Sequence, residues 1–525
     1  MIKFSTSHDN NNKNMMFVDE LETLAKLKFN LDTLKPFQQA IISDFMHGHD
    51  VLVISPTGSG KSLCYQLPAL LLPGTFIIIS PLIALMQDQV EKLKSKSIEA
   101  DFLHADLSKE EQNQIFASIK TQKTKLLYVS PERLLQNFFL SFLKQQKISG
   151  FAIDEVHCML QWGQDFRPEY QGLSKLKKIF PRIPVMALTA TANPKHQQSL
   201  IEQLSLKAKK HIYSIHRRNI HYHVITEGDS KNNLAHICSQ HPHQSGIVYA
   251  ASRLRVENIY AFLKSKGFEV LKYHAGLSAE EKQNQLALFQ NSSQAIMVAT
   301  IAFGMGVDKK DVRYIVHLDT PGRLDQFVQE SGRVGRDGQE AHSYIFFQPA
   351  PFFQFNFWRI QKAQALLFPE LIEDLKMMAK FLNSQTCFNK FITDFFEEQD
   401  NPDCGYCSRC QNQSKESVSS DDFLKVLSCI ARLEDAATSK VLIEVLQGQL
   451  TTRTHAYQGL STFGIGQEQS VKYWLGLIAL LFSHDWISIR HQSTMNWVLT
   501  AKAKMAMKHR NYADILNHQP LEPLI

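Results

Sequence analysis

The sequence predicts an α/β fold: two tandem parallel-sheet domains, then a helical domain carrying a cysteine cluster, then a winged-helix domain. Three features carry that prediction. Short apolar runs alternate with amphipathic stretches over residues 31–214, and the alternation restarts at Gly246. Buried parallel strands joined by helices on both sheet faces produce this pattern. Cysteines then cluster near residue 404, and two short apolar runs close the helical region that follows.

The elements follow in order. Residues 1–30 read as a polar leader, partly disordered, since Met1 to Asn14 is Asn-rich and lacks the apolar core of a signal peptide. Residues 31–215 form the first domain, with strands expected at 51–54, 75–79, 125–129, 150–153 and 185–188. Residues 216–348 form the second, with strands at 246–249, 269–273, 295–299, 313–317 and 342–347. Residues 349–415 read as helical and aromatic-rich, with Phe352, Phe353, Phe355, Phe357 and Trp358 packing against the second domain. After a polar linker at 414–422, residues 416–510 carry an apolar stripe at Val471, Trp474, Leu475, Ile478, Leu481 and Phe482. The runs 486–489 and 497–500 then flank His491-Gln492-Ser493-Thr494 as a hairpin, and residues 511–525 are a tail.

At 525 residues the length suits several domains, and no apolar stretch reaches the length of a membrane span. A net charge of +6 only mildly favours a polyanionic partner. Lys502, Lys504, Lys508 and Arg510 fit either phosphate contacts or a solvated face. The chain has eight cysteines and no secretion signal, which points to thiols or metal rather than disulfides. Cys387, Cys404, Cys407 and Cys410 match a closed tetrahedral Zn²⁺ site, with an iron–sulfur cluster as the rival. Cys64, Cys158, Cys238 and Cys429 stand singly and read as buried packing residues.

The most informative stretch is Ser55-Pro56-Thr57-Gly58-Ser59-Gly60-Lys61-Ser62, lying between an apolar strand and a helix. Backbone amides of Thr57, Gly58, Ser59 and Gly60 can cradle phosphates, Lys61 can reach the β- and γ-phosphates, and Ser62 can ligate Mg²⁺. The usual first glycine is Ser55 here. Further on, a strand ends in Asp154-Glu155-Val156-His157. Asp154 is suited to anchor Mg²⁺ and Glu155 to polarise the attacking water, so ATP hydrolysis is the reading. Arg333 and Arg336, in Gln329-Glu330-Ser331-Gly332-Arg333-Val334-Gly335-Arg336, fit surface ion pairs or arginine fingers to a γ-phosphate held by the other domain.

In this order the motifs resemble a superfamily 2 helicase of the RecQ family, over about residues 31–510. The strongest match is Asp154-Glu155-Val156-His157-Cys158 followed by Gln161-Trp162-Gly163-Gln164-Asp165-Phe166-Arg167-Pro168-Glu169-Tyr170. Ser80-Pro81-Leu82, Ser130-Pro131-Glu132-Arg133, Leu188-Thr189-Ala190-Thr191-Ala192 and Tyr273-His274-Ala275-Gly276-Leu277 match as well. The resemblance implies two RecA-like motor domains with ATP between them, a zinc-binding domain and a winged helix, in a short form without the extra C-terminal helical domain. It implies 3′-to-5′ unwinding of DNA in repair, recombination and replication. It assigns adenine reading to Gln38, contacts to single-stranded DNA to Trp162, Phe166 and Arg167, and zinc to the four clustered cysteines. His157 would couple the DNA loop to Glu155, and the hairpin would meet the duplex at the fork. Single-stranded and forked DNA as ligands, a single-stranded-DNA-binding protein as partner, a monomeric state and a bacterial cytoplasm at the nucleoid complete the expectation.

Departures from the family pattern are Lys35 for an arginine that can stack on the base, Val156 and Val334 for alanines, and Arg218 for proline in the segment 216–220. None removes a catalytic group. An RNA helicase, a DNA-binding scaffold with a decayed motor, and a duplex translocase without strand separation remain as alternatives.

Overall fold

The computed structural model describes residues 10–81, 83–104, 107–160, 168–301, 303, 309–398, 402–411 and 419–509. They form two compact units, one up to Ile215 and the other from His216 onward.

The first unit is built on seven strands: β1 (Asp50–Ile54), β2 (Thr75–Ile79), β3 (Ala100–Leu103), β4 (Leu126–Val129), β5 (Ile148–Ile153), β6 (Val185–Thr189) and β7 (Ala208–Ile212). They pair in parallel in the order β3-β4-β2-β5-β6-β1-β7. Successive side chains leave a strand on opposite faces. Leu52 and Ile54 therefore join one apolar cluster and Val51 and Val53 another, so β1 is buried on both sides. The expected strands are present within two residues of their bounds. β3 and β7 were not expected: both are edge strands, β3 with two half-buried residues between two buried ones and β7 with no fully buried residue.

One expectation is corrected here. Within the stretch read as a polar leader, a helix spans Asn10–Phe29 among the described residues. Leu21 and Ala25, one turn apart on one face, are buried in the β1-side cluster, with Leu24 and Phe29 packed against it. The polar average of the segment conceals this narrow stripe.

In the second unit six parallel strands, β8 (Ile220–Ile225), β9 (Ser245–Tyr249), β10 (Val270–Tyr273), β11 (Ile296–Ala299), β12 (Val312–His317) and β13 (Ala341–Phe346), follow the order β10-β11-β9-β12-β13-β8. Helices Pro349–Lys362, Phe368–Asn383 and Phe388–Phe395 come next, then the cysteine turn. Helices Ser420–Leu433, Ser439–Leu446 and Val471–Ser483 lead into an antiparallel hairpin, β14 (Ile487–Ile489) and β15 (Trp497–Leu499).

The aromatic helix Pro349–Lys362 packs differently from expectation. Phe352 meets Phe347 of the second motor sheet's margin at 5.5 Å between ring centroids. Phe353 instead meets Phe482 and Trp497, and Phe357 meets Trp497, all in the winged-helix region. Trp358 stays 43% exposed, with Lys362 Nζ 3.9 Å from its ring centre. The stripe residues Trp474, Ile478, Leu481 and Phe482 are buried as expected, whereas Val471 is exposed.

If the helix Asn10–Phe29 is part of the first core, Leu21→Ala should lower the unfolding free energy by about 2–5 kcal/mol, as for a buried leucine. Denaturant titration checks this, and a disordered leader would leave the midpoint unmoved.

Candidate nucleotide site and cysteine knuckle

In open parallel sheets, sites form at the carboxyl ends of the strands. The loop after β1, the carboxylates after β5 and Thr189 at the end of β6 all lie at that end of the first sheet, where β5, β6 and β1 are adjacent.

The loop after β1 is fixed from within and from the side. Ser55 Oγ donates to Ser59 Oγ at 2.9 Å, and Lys61 Nζ donates to the carbonyls of Ser55 and Pro56 at 2.6 and 3.0 Å. Gln38 Nε2 donates to the Gly60 carbonyl at 3.1 Å, while its Oε1 accepts from the Lys35 amide at 3.0 Å. Lys35 Nζ donates to the Ser59 carbonyl at 3.2 Å. Gly60 requires its lack of a side chain: φ is +96°, and a Cβ would meet Gln38 Nε2 at 2.7 Å. Thr57 and Gly58 lie in the loop's turn, and Ser62 immediately precedes the helix Leu63–Leu71 without a side-chain cap bond.

Asp154 and Glu155 follow β5 directly. Burial pushes the Asp154 carboxyl well above the ordinary range, the neighbouring Glu155 carboxylate pushes it further, and Lys61 opposes both. Lys61 and Asp154 are thus close enough to sense each other's charge. Asp154 Oδ1 accepts from the Glu155 amide at 3.0 Å, and the Asp154 amide donates to the Ile79 carbonyl at 2.9 Å. Glu155 takes a left-handed backbone, φ 49°, uncommon for a residue with a side chain. That turn aims its Oε2 at His157 Nδ1, 3.3 Å away. The same His157 nitrogen lies 3.0 Å from Thr189 Oγ1, which ties the carboxylate turn to the end of β6. Lys35, Gln38, residues 57–62, Asp154, Glu155 and His157 all belong to the first unit.

Trp162, Phe166 and Arg167 lie outside the described residues, as do Leu82 and Arg510. Tyr170, in the short helix Pro168–Gly172 that follows them in the chain, is buried and donates its hydroxyl to the Asp154 carbonyl at 3.1 Å.

Arg333 and Arg336 belong to the second unit. Arg333 is buried beside Tyr249, whose hydroxyl donates to the Phe303 carbonyl at 2.8 Å. The turn between the two arginines is held by a residue that sequence reasoning passed over. Arg217 donates to the carbonyls of Gly332, Val334 and Gly335 at 3.5, 3.2 and 2.5 Å, and Asn219 Nδ2 adds a bond to Gly335 at 2.8 Å. Partners separated by 115 to 118 residues leave no local signal in the sequence. Glu330 accepts from Gln326 at 3.0 Å and meets His317 Nε2 at 2.8 Å in the core below.

The four clustered cysteines converge. Their sulfurs lie within 4.8 Å of one another, with separations of 3.6 Å (Cys407–Cys410), 3.8 Å (Cys387–Cys407) and 3.9 Å (Cys404–Cys410). Tetrahedral Zn–S bonds of about 2.3 Å place sulfurs about 3.8 Å apart, so the tetrad fits zinc. A hydrogen bond shared by Cys387 and Cys407 pushes the first thiol up to about 12, with burial adding to it, and pulls the second below the usual thiol range. The remaining cysteines, 64, 158, 238 and 429, are buried singly.

The hairpin is less free than expected of a separating wedge. Gln492 Nε2 donates to the Ile360 and Ala363 carbonyls at 2.5 and 2.8 Å, and Gln361 Nε2 donates to the Ser493 carbonyl at 2.8 Å. The tip therefore caps the end of helix Pro349–Lys362. Lys502 rests on the Trp486 ring at 4.0 Å and donates to the His484 carbonyl, whereas Lys504 and Lys508 are exposed.

Comparison with known proteins agrees with this arrangement. Residues 35–200 match the DEAD/DEAH box helicase family, 229–338 the helicase conserved C-terminal domain and 419–518 the RQC domain. The ATP-dependent DNA helicase RecQ of Haemophilus influenzae is 36% identical over 492 residues, 93% of this chain and 79% of the relative. The protein of the same name from Bacillus subtilis is 33% identical over 460 residues, covering 87% and 78%. Among solved structures, the DUF1998 helicase MrfA bound to DNA aligns with a TM-score of 0.55 at 19% identity, covering 69% of this chain and 57% of that one, a likeness of fold.

The Arg217 clamp has a measurable weight. Hydrogen bonds from a charged donor contribute about 1.5–3 kcal/mol. Arg217→Ala should destabilise the second unit by about that amount, read as a lower thermal midpoint, while Arg218→Ala should not.

Proposed function

The chain belongs to the RecQ family of ATP-dependent DNA helicases, and from that premise we propose that it couples ATP hydrolysis to 3′-to-5′ translocation on single-stranded DNA and to duplex unwinding in repair, recombination and replication. The observation that carries this reading is the convergence of the Lys61 loop, the Asp154–Glu155 pair and the His157–Thr189 contact at one end of the first sheet.

In this reading the amides of residues 57–60 and Lys61 hold the phosphates, and Gln38 and Lys35 face the adenine. Ser62 and Asp154 hold Mg²⁺, which neutralises charge developing on the phosphates. Glu155 accepts the proton of the attacking water, with its orientation set by His157 and the left-handed turn. Arg333 and Arg336 stabilise charge on the γ-phosphate when the two motor domains close on ATP. Trp162 and Phe166 stack on bases and Arg167 binds phosphate, tolerating any sequence. Tyr170, three residues after Arg167, bonds to the Asp154 carbonyl and so gives the end of this segment one physical link to the carboxylates. Cys387, Cys404, Cys407 and Cys410 hold structural Zn²⁺.

Among the described residues no helix is long and apolar enough to cross a membrane. We further propose that it acts at the bacterial nucleoid on single-stranded and forked DNA, as a monomer that meets the single-stranded-DNA-binding protein.

The decisive assay is unwinding of forked duplexes with a 3′ or a 5′ tail. Wild-type protein should open only the 3′-tailed fork, and Lys61→Ala should open neither. DNA-stimulated ATPase with no strand separation would replace unwinding by duplex translocation. Glu155→Gln should retain ATP and DNA binding while hydrolysis falls by about 10²–10⁴. Trp162→Ala should keep basal ATPase and lose stimulation by DNA; wild-type unwinding by this variant would remove the coupling role. Cys404→Ser should release zinc, read by metal analysis, and lower the thermal midpoint of the second unit without altering the ATP affinity of the first.

A further inference from the structure

A second group of metal-type ligands sits at the margin of the second sheet, outside the nucleotide and cysteine sites. β8 and β13 run parallel with His221 beside His342 and His223 beside Tyr344. Residues two apart on a strand share a face, so these side chains stand together on one side of the sheet. The rings of His221 and His342 lie 5.1 Å apart between centroids. Glu340, just before β13, reaches both: its Oε1 is 3.3 Å from His221 Nδ1 and 3.4 Å from His342 Nε2. One donor atom from each of the three lies within 4.8 Å of the others.

Those separations are those of a metal's ligands. Tetrahedral bonds of about 2.0–2.2 Å to imidazole nitrogen and carboxylate oxygen place donors about 3.3–3.6 Å apart. Two imidazoles and one carboxylate form a borderline donor set, suited to Zn²⁺, Co²⁺ or Ni²⁺ rather than to Mg²⁺ or Ca²⁺. The outer contacts are those a ligating histidine normally has. The second nitrogen of His342, Nδ1, lies 3.2 Å from His223 Nε2, which fixes the ring's orientation. The His221 ring is stacked on Tyr406 at 4.4 Å. Glu340 is 63% exposed in its side chain and the two histidines about a fifth, so an ion can enter from solvent.

We propose that His221, His342 and Glu340 form a second site for a divalent transition metal, with its remaining position open to water. Bound there, the ion joins edge strand β8 to β13. Through Tyr406, which lies between Cys404 and Cys407, it also braces the cysteine knuckle against the sheet. Ser408 already tethers that knuckle to the same strand, accepting from the Val224 amide at 3.3 Å.

The test uses the full chain with its cysteines saturated with Zn²⁺ and Co²⁺ added as probe. Uptake of Co²⁺ with weak visible bands and no thiolate-to-cobalt charge transfer is expected. Glu340→Gln, at an exposed position, should leave the fold and the ATPase unchanged yet weaken Co²⁺ by more than about tenfold, and His342→Ala should do the same. His236→Ala, on the exposed face of helix Ser230–Gln240, should bind as wild type. Equal affinity in Glu340→Gln and wild type, no uptake beyond the cysteines, or a spectrum made only of thiolate charge transfer would each overturn the site.

Discussion

The first unit depends on one constraint: a strand buried on both faces ends in two adjacent carboxylates. Burial disfavours the charged form of Asp154, and the Glu155 charge next to it makes matters worse. The surrounding structure offsets this with the Lys61 ammonium and with rigid backbone bonds. The Asp154 amide continues the ladder to Ile79, and its carbonyl accepts from Tyr170. The chain then turns through the left-handed residue Glu155 into the short helix Val156–Met159. Strain of this kind persists only where neighbours over-determine it, and here His157 and Thr189 do so.

How much of this was legible in the sequence depends on which signals are local. The central strands β1, β2, β4 and β6 are unbroken apolar runs because both their faces are covered, and such runs are visible without a structure. Strands β3, β7 and β8 escaped because each lies at a sheet edge, where half the residues meet solvent and include Asp101, Lys209, Lys210 and His223. The helix Asn10–Phe29 escaped for a similar reason, since Leu21 and Ala25 anchor an otherwise polar segment. Among site residues, the phosphate loop, the carboxylate pair and the cysteines are short-range patterns whose spacing follows from chemistry. Arg217, the His157–Thr189 contact and the His221–Glu340–His342 cluster are assembled from distant parts of the chain, and only the folded sheet brings them together.

Ser55 shows how a departure from a motif can be absorbed. A glycine at this position would leave the loop's start without a side chain, whereas the buried Ser55 hydroxyl bonds to Ser59 and draws the loop's two ends together. Gln38 and Lys35 add bonds to Gly60 and Ser59 from the preceding segment. Lys35 therefore acts on the loop, its ammonium directed to the Ser59 carbonyl.

The hairpin of the winged-helix region works under a different constraint. Each strand has three residues, and the tip is polar and anchored. A side chain that pries bases apart needs an apolar, unencumbered tip. Gln492 instead fills the carbonyls of Ile360 and Ala363, groups that every helix end leaves unpaired. Trp497 in β15 lies against Phe353 and Phe357 of the same helix. Hairpin and aromatic helix are thus joined by a polar cap at one end and an apolar contact at the other. Such a joint resists both sliding and rotation, so displacement of helix Pro349–Lys362 moves the hairpin with it. Within the second unit the hairpin is a brace between the aromatic helix and the winged-helix core, not a freely projecting blade.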